Sequence, residues 1–100
     1  MNNFALMDTP DQFRKLQEQL EKEKSWPLVY MFKFIIPADN QKMALVETMF
    51  SDEAVISQKS SGEGNYISIT VKEVMLDAKS IIDIYSRAAQ IPGVISLWLF

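Results

Sequence analysis

The chain has no cysteine and no histidine, and these two absences remove most of the familiar reactive chemistry. Without cysteine there is no disulfide, thiolate nucleophile or thiolate metal site; that composition fits a reducing cytoplasm. Without histidine the chain lacks the commonest general base, the commonest metal ligand and the side chain that titrates near neutrality. Carboxylates are plentiful, but no motif pairs two of them as acid and base, and no Asp-rich loop has calcium spacing. The expectation is a protein that is not an enzyme and carries no cofactor or metal.

Long apolar runs are also missing. No window approaches the eighteen apolar residues of a membrane span. The N-terminal "MNNFALMDTPDQF" has no basic stretch followed by a long apolar run, so no membrane and a cytoplasmic location are expected. Thirteen acids stand against ten bases, for a net charge of -3. That balance opposes non-specific attraction to phosphate backbones, which needs clustered Lys and Arg, and argues against nucleic acid as a partner. What is present is ordinary for a globular domain: 100 residues, 48% apolar and 23% charged, enough for one core.

Thr9-Pro10 is a helix start, with a hydroxyl to cap and a proline whose missing N–H costs nothing in the first turn. The spacing predicts a helix over 11–24, with Phe13, Leu16 and Leu20 as a thin apolar seam. Ser25-Trp26-Pro27 breaks it. "LVYMFKFII", Leu28 to Ile36, is a nearly continuous aromatic and branched run, the pattern of a central strand. Leu28, Tyr30, Phe32, Phe34 and Ile36 share one face; Val29, Met31, Lys33 and Ile35 share the other, which the lysine marks as the wetter.

Pro37-Ala38-Asp39 turns the chain and can cap a helix over 40–50, where Met43, Val46, Met49 and Phe50 recur at helical spacing. A strand over 54–59 leads to "SSGEGN", whose Gly62, Gly64 and Asn65 suit a hairpin turn. The next strand, 66–74, alternates Ile67, Ile69 and Val71 on the core side with Tyr66, Ser68, Thr70 and Lys72 on the other. Asp77 opens a last helix with an apolar face of Ala78, Ile81, Ile82, Tyr85, Ala88 and Ala89. Pro92-Gly93 ends that helix, and "VISLWLF" closes the chain as a strand.

From Leu28 the order is strand, helix, strand, strand, helix, strand. Right-handed crossovers put both helices on one face of one antiparallel sheet. The predicted fold is therefore α+β: a ferredoxin-like βαββαβ sandwich over residues 25–100, with a four-stranded sheet in the order 4-1-3-2. Residues 1–24 form an extra N-terminal helical extension. The sheet's other face is left open, and Val29, Met31, Lys33, Tyr66, Thr70, Val94, Trp98 and Phe100 are expected to point towards it. A bare patch of that size asks for a cover. It is either the N-terminal helix through Phe13, Leu16 and Leu20, or a second copy of the chain or another protein. The terminal strand, at an edge in this order, invites a partner strand unless "NFALM" covers it.

"SWPLVYMFKFIIP", "GNYISITV" and "IIDIYSRAAQIPGVISLWL" together resemble the YbeD-like family, small bacterial domains of unassigned biochemical function. The resemblance spans residues 25–99. It implies a fold similar to that of ACT-type regulatory domains, which bind amino acids at domain interfaces. Gly93 matches their "PGV" closure, whereas the loop "IPADNQK" lacks the expected glycine, and Asp39 there would repel a ligand carboxylate.

Three functions are therefore expected in order. The first is a small regulatory or protein-interaction module, possible homodimers included, that uses the open face (Met31, Lys33, Tyr66, Thr70, Trp98, Phe100) or the last strand. The second is an ACT-like sensor of an amino acid or other metabolite, which rests on topology. The third is RNA binding by the strand that begins at Tyr66. RNA-recognition domains stack bases on several aromatics of that strand; here Tyr66 is the one aromatic, and Glu63 and Glu73 flank the strand.

Overall fold

Strands and helices follow one another as β1 (Phe4–Leu6), α1 (Pro10–Glu21), β2 (Leu28–Pro37), α2 (Asn40–Glu47), β3 (Val55–Ser60), β4 (Tyr66–Met75), α3 (Ala78–Ala88) and β5 (Ile95–Leu99). This is a computed structural model that describes residues 4–6 and 10–99. All strand pairs are antiparallel, in one sheet ordered β1-β5-β2-β4-β3. The four strands after residue 28 thus stand last, first, third, second, and a fifth strand is added outside them. The expectation of four strands is corrected here. β5 offers a row of backbone groups along its outer side, and Phe4, Ala5 and Leu6 pair there with Leu99, Trp98 and Leu97. The last strand is therefore no edge, and β3 is the long edge strand.

The core lies on one side of the sheet. The even residues of β2 and the odd residues of β4 supply Phe32, Phe34, Ile36, Ile69, Val71 and Met75, all buried. Each helix adds to the same cluster: Leu16 and Leu20 from α1, Val46 from α2, and Ile81, Ile84, Tyr85 and Ala88 from α3. Alternation on β2 and β4 thus puts Phe32 and Ile69 inward as expected. Ile84 is an additional contact one turn from Ile81 and Ala88. Phe32 stacks on Phe34 and packs edge-on or tilted on its other neighbours, 5.1 Å from Phe50 and 5.4 Å from Tyr85 between centroids.

α1 ends at Glu21, three residues before the expected Lys24, and it does not lie over the open face. It packs beside α3, with Phe13 against the core and Leu16 and Leu20 inside it. The seam is real, but it faces the helix layer. A radius of gyration of 13.3 Å is that of one compact body of this length, with α1 part of it. Thr9, the expected cap of α1, lies outside the described residues.

The other helix caps follow the sequence. Asp39 accepts from the N–H groups of Gln41 (2.9 Å) and Lys42 (3.2 Å) at the start of α2. Asp77 accepts from the N–H of Ser80 (2.8 Å) at the start of α3. That bond holds the Asp77 carboxyl below its ordinary pKa. α2 is shorter than expected, yet Phe50 beyond its end still packs on the core.

Two turns need glycine. Gly64 has φ +74° in the hairpin between β3 and β4, where Ser61 N–H donates to the Tyr66 carbonyl at 2.8 Å. Gly62 beside it has no positive φ, so one glycine of that turn, not both, provides the left-handed conformation. Gly93 has φ +81°, and a Cβ built there would stand 2.9 Å from Cγ of Pro37. The turn after α3 and the end of β2 therefore touch at a point only glycine fits.

Candidate interaction face

With the three described helices on one side, no described helix covers the other side of the sheet, and strand register decides what it presents. On β2 the outward residues are Val29, Met31, Lys33 and Ile35. Opposite them on β4 stand Val74, Lys72, Thr70 and Ser68, and Tyr66 lies opposite Pro37. β3 adds Val55, Ser57 and Lys59, opposite Lys72, Thr70 and Ser68. β5 adds Leu97 opposite Lys33 and Ile95 opposite Ile35. Val29 is 65% exposed, Val74 58%, Tyr66 48% and Met31 38%.

The structure brings Met31, Lys33, Tyr66 and Thr70 together on this face, as the alternation of their strands requires. It does not bring Val94. Ser96 pairs with core-facing Phe34 and is itself buried, and Val94 packs against the core. Val94 and Ser96 thus belong to the helix side, and the Trp98 side chain and Phe100 lie outside the described residues. In place of Val94 the face gains Ile95 and Leu97. The serine of "VISLWLF", a small hydroxyl, is tolerated at the crowded side of the strand.

Three other places hold candidate chemistry. A groove of about 360 Å³ is lined by Ser51, Glu53, Glu73, Val74, Met75, Leu76 and Ser80. Its Glu73 carboxylate already accepts from the backbone N–H of Ser51 at 2.9 Å and from the Ser51 hydroxyl, which makes it a loop anchor. The second place is internal. Tyr85 donates its hydroxyl to the Leu97 carbonyl (3.1 Å), and the Tyr30 hydroxyl lies 3.1 Å from that of Tyr85. A carbonyl only accepts, so Tyr85 uses its one proton there and Tyr30 donates to Tyr85. Burial pushes both phenols above the ordinary tyrosine pKa, and this chain fastens α3 to β5 inside the core. The third is the N-terminus of α2, the place where an ACT-type ligand carboxylate would meet backbone N–H groups. Asp39 of the chain already fills that role.

Among the described residues no group of three or more Asp or Glu side chains is arranged to hold a metal ion. No helix among them is long and apolar enough to cross a membrane. A family model described as "Protein of unknown function (DUF493)" matches residues 21–97. No curated protein and no solved structure matches the chain.

Proposed function

Because the chain belongs to DUF493, the YbeD family, a family defined without an assigned activity, we propose a function from its own geometry: a small non-enzymatic protein-interaction module whose open sheet face docks a protein. The observation that carries the reading is the exposure of Val29, Met31, Val74 and Tyr66 on a side that no helix among the described residues covers. Apolar residues scattered over a surface are normal, but contiguous apolar patches on monomers are small, and larger ones mark binding sites. The lack of cysteine supports a reducing compartment such as the bacterial cytoplasm.

The sensor reading receives less support, since Asp39 occupies the α2 N–H groups that a carboxylate ligand needs. RNA binding also receives less, since the central outward positions are Met31, Lys33, Thr70 and Lys72 with no aromatic among them.

The test is site-specific photo-crosslinking in the cells that make the protein. One probe replaces Met31 on the open face and a control probe replaces Lys79 on the exposed side of α3. A discrete adduct from position 31 and none from position 79 is expected. Equal adducts from both, or none from position 31, would remove the reading.

A further inference from the structure

The strand positions of the open face carry charge of one sign. They hold Lys33, Lys59 and Lys72 and, among the described residues, no carboxylate. The chain as a whole has thirteen acids and ten bases, so the charge at these described strand positions is opposite in sign to the net charge.

The charge is also laid out unevenly. Over β5 and β2 the outward residues are apolar, with Ile95, Leu97, Ile35, Met31 and Val29 interrupted by Lys33. Over β4 and β3 Lys72, Lys59, Thr70, Ser68 and Ser57 are donors, and the apolar or aromatic Val55, Val74 and Tyr66 stand at the ends. Strands lie about 4.8 Å apart and a helix with its side chains is about 10–12 Å wide. One helix laid over the seam between β2 and β4 therefore rests on the apolar lane with one flank and on the lysine and hydroxyl lane with the other.

We propose that the occupant of this face is an amphipathic helix of a partner protein, apolar along its buried stripe and acidic along the flank over β4 and β3. The proposal rests on the interaction-face reading above and adds the partner's chemistry. A second copy fits poorly. Stacking two open faces would bring Lys59 and Lys72 of both copies into one interface with no carboxylate at the described strand positions to meet them, a like-charge arrangement that suppresses pairing. Nor can the chain offer its own α1, whose apolar seam of Phe13, Leu16 and Leu20 is already spent on its core.

The test titrates full-length protein with synthetic peptides of roughly 18 residues, long enough for five turns. The first has leucines at helical spacing and a glutamate flank, the second replaces the glutamates by lysines, and the third keeps the glutamates but replaces the leucines by serines. Binding is followed by amide NMR shifts. The first peptide should shift β2 and β4 amides and bind at least about tenfold tighter than either of the others. It should weaken as salt rises from about 50 to about 500 mM. The double variant Lys59→Glu/Lys72→Glu, both at exposed positions, should reverse the preference between the first two.

Equal binding of the acidic and basic peptides on the open face would overturn the charge assignment and leave the interaction-face reading standing. A Met31 adduct together with no binding by any peptide would overturn the helix as occupant. No binding and no Met31 adduct would remove both readings. A single-stranded oligouridylate of about 12 nucleotides that outcompetes the acidic peptide, or a dimer in sedimentation velocity that Met31→Asp dissolves, would give the face to RNA or to a second copy instead.

Discussion

Replacing Tyr85 by phenylalanine keeps the ring that packs against Phe32 and Phe34 and removes one oxygen at the junction of α3, β2 and β5. Two groups lose a partner: the Leu97 carbonyl loses a donor, and the Tyr30 hydroxyl loses its acceptor. A buried polar group left unpaired costs about 1–3 kcal/mol. Tyr30 is half-buried, so its share falls at the low end, and the carbonyl retains a second lone pair. The sum is about 2–3 kcal/mol, or a fall in Tm of roughly 10–20 °C for a domain of this size. Tyr30→Phe, in contrast, leaves Tyr85 donating to Leu97 and should cost about 1 kcal/mol. Urea unfolding followed by tryptophan fluorescence measures both. The two variants also differ in alkali. Folded Tyr30 and Tyr85 keep their protons above pH 10, where an unfolded tyrosine loses its own. The unfolded state then binds fewer protons, so stability is constant below that pH and falls as pH rises above it, by up to about 1.4 kcal/mol per pH unit for each phenol. Tyr85→Phe should roughly halve the slope. If Tyr85→Phe costs no more than Tyr30→Phe at neutral pH, the direction assigned to the chain of hydroxyls is wrong.

Gly93→Ala should cost about 2–3 kcal/mol, because it puts a Cβ at φ +81° and 2.9 Å from Pro37. Gly62→Ala, with nothing within 4 Å, should change the urea midpoint little. Leu16→Ala, at a 2% exposed site, should cost about 2–5 kcal/mol within a single transition; a separate early melting of α1 would show that the helix is not part of the core. Asp39→Ala should remove about 1 kcal/mol of capping at α2, read from thermal unfolding. For Asp77 the carboxyl should titrate below 3.8 by NMR. Its contribution to stability is then present above that pH and disappears as pH falls through the lowered value, so Asp77→Ala should flatten the acid limb of the stability curve.

The elements that the sequence shows plainly are those in which one physical signal dominates. β2 and β4 alternate because one face is buried and the other carries Lys33, Thr70 and Lys72, and Asp39 and Asp77 sit where helix N–H groups need acceptors. The signal is weaker where apolar residues occupy both parities. "VISLWLF" is apolar at six of its seven positions, so its two faces differ by one serine, and that serine is buried. Only pairing with β2 resolves the parity, through Phe34 opposite Ser96 and Lys33 opposite Leu97. β1, at three residues, is too short to show a period; the sequence offers "NFALM" as one of two covers for the last strand, and it is a strand because β5 offers backbone groups for it to pair with. The seam of α1 states that the helix docks, but no local property says on which side of the sheet.

The charge of the open face was hidden for a related reason. Lys33, Lys59 and Lys72 lie on three strands, separated in sequence by 26 and 13 residues. No window of the chain is basic, and the net charge points the other way. Net charge describes the average field around the whole protein, but a docked partner responds to the field within about a Debye length, roughly 8 Å at physiological salt. Register places three separate lysines on one face of the sheet, and sends Glu73, one residue from Lys72, to the opposite side, where it holds Ser51. The period of two that builds the core also sorts the charges, so an acidic chain can present a cationic face without any basic segment. The overall acidity therefore does not exclude an acidic partner. The described strand positions of the face carry no carboxylate to repel one.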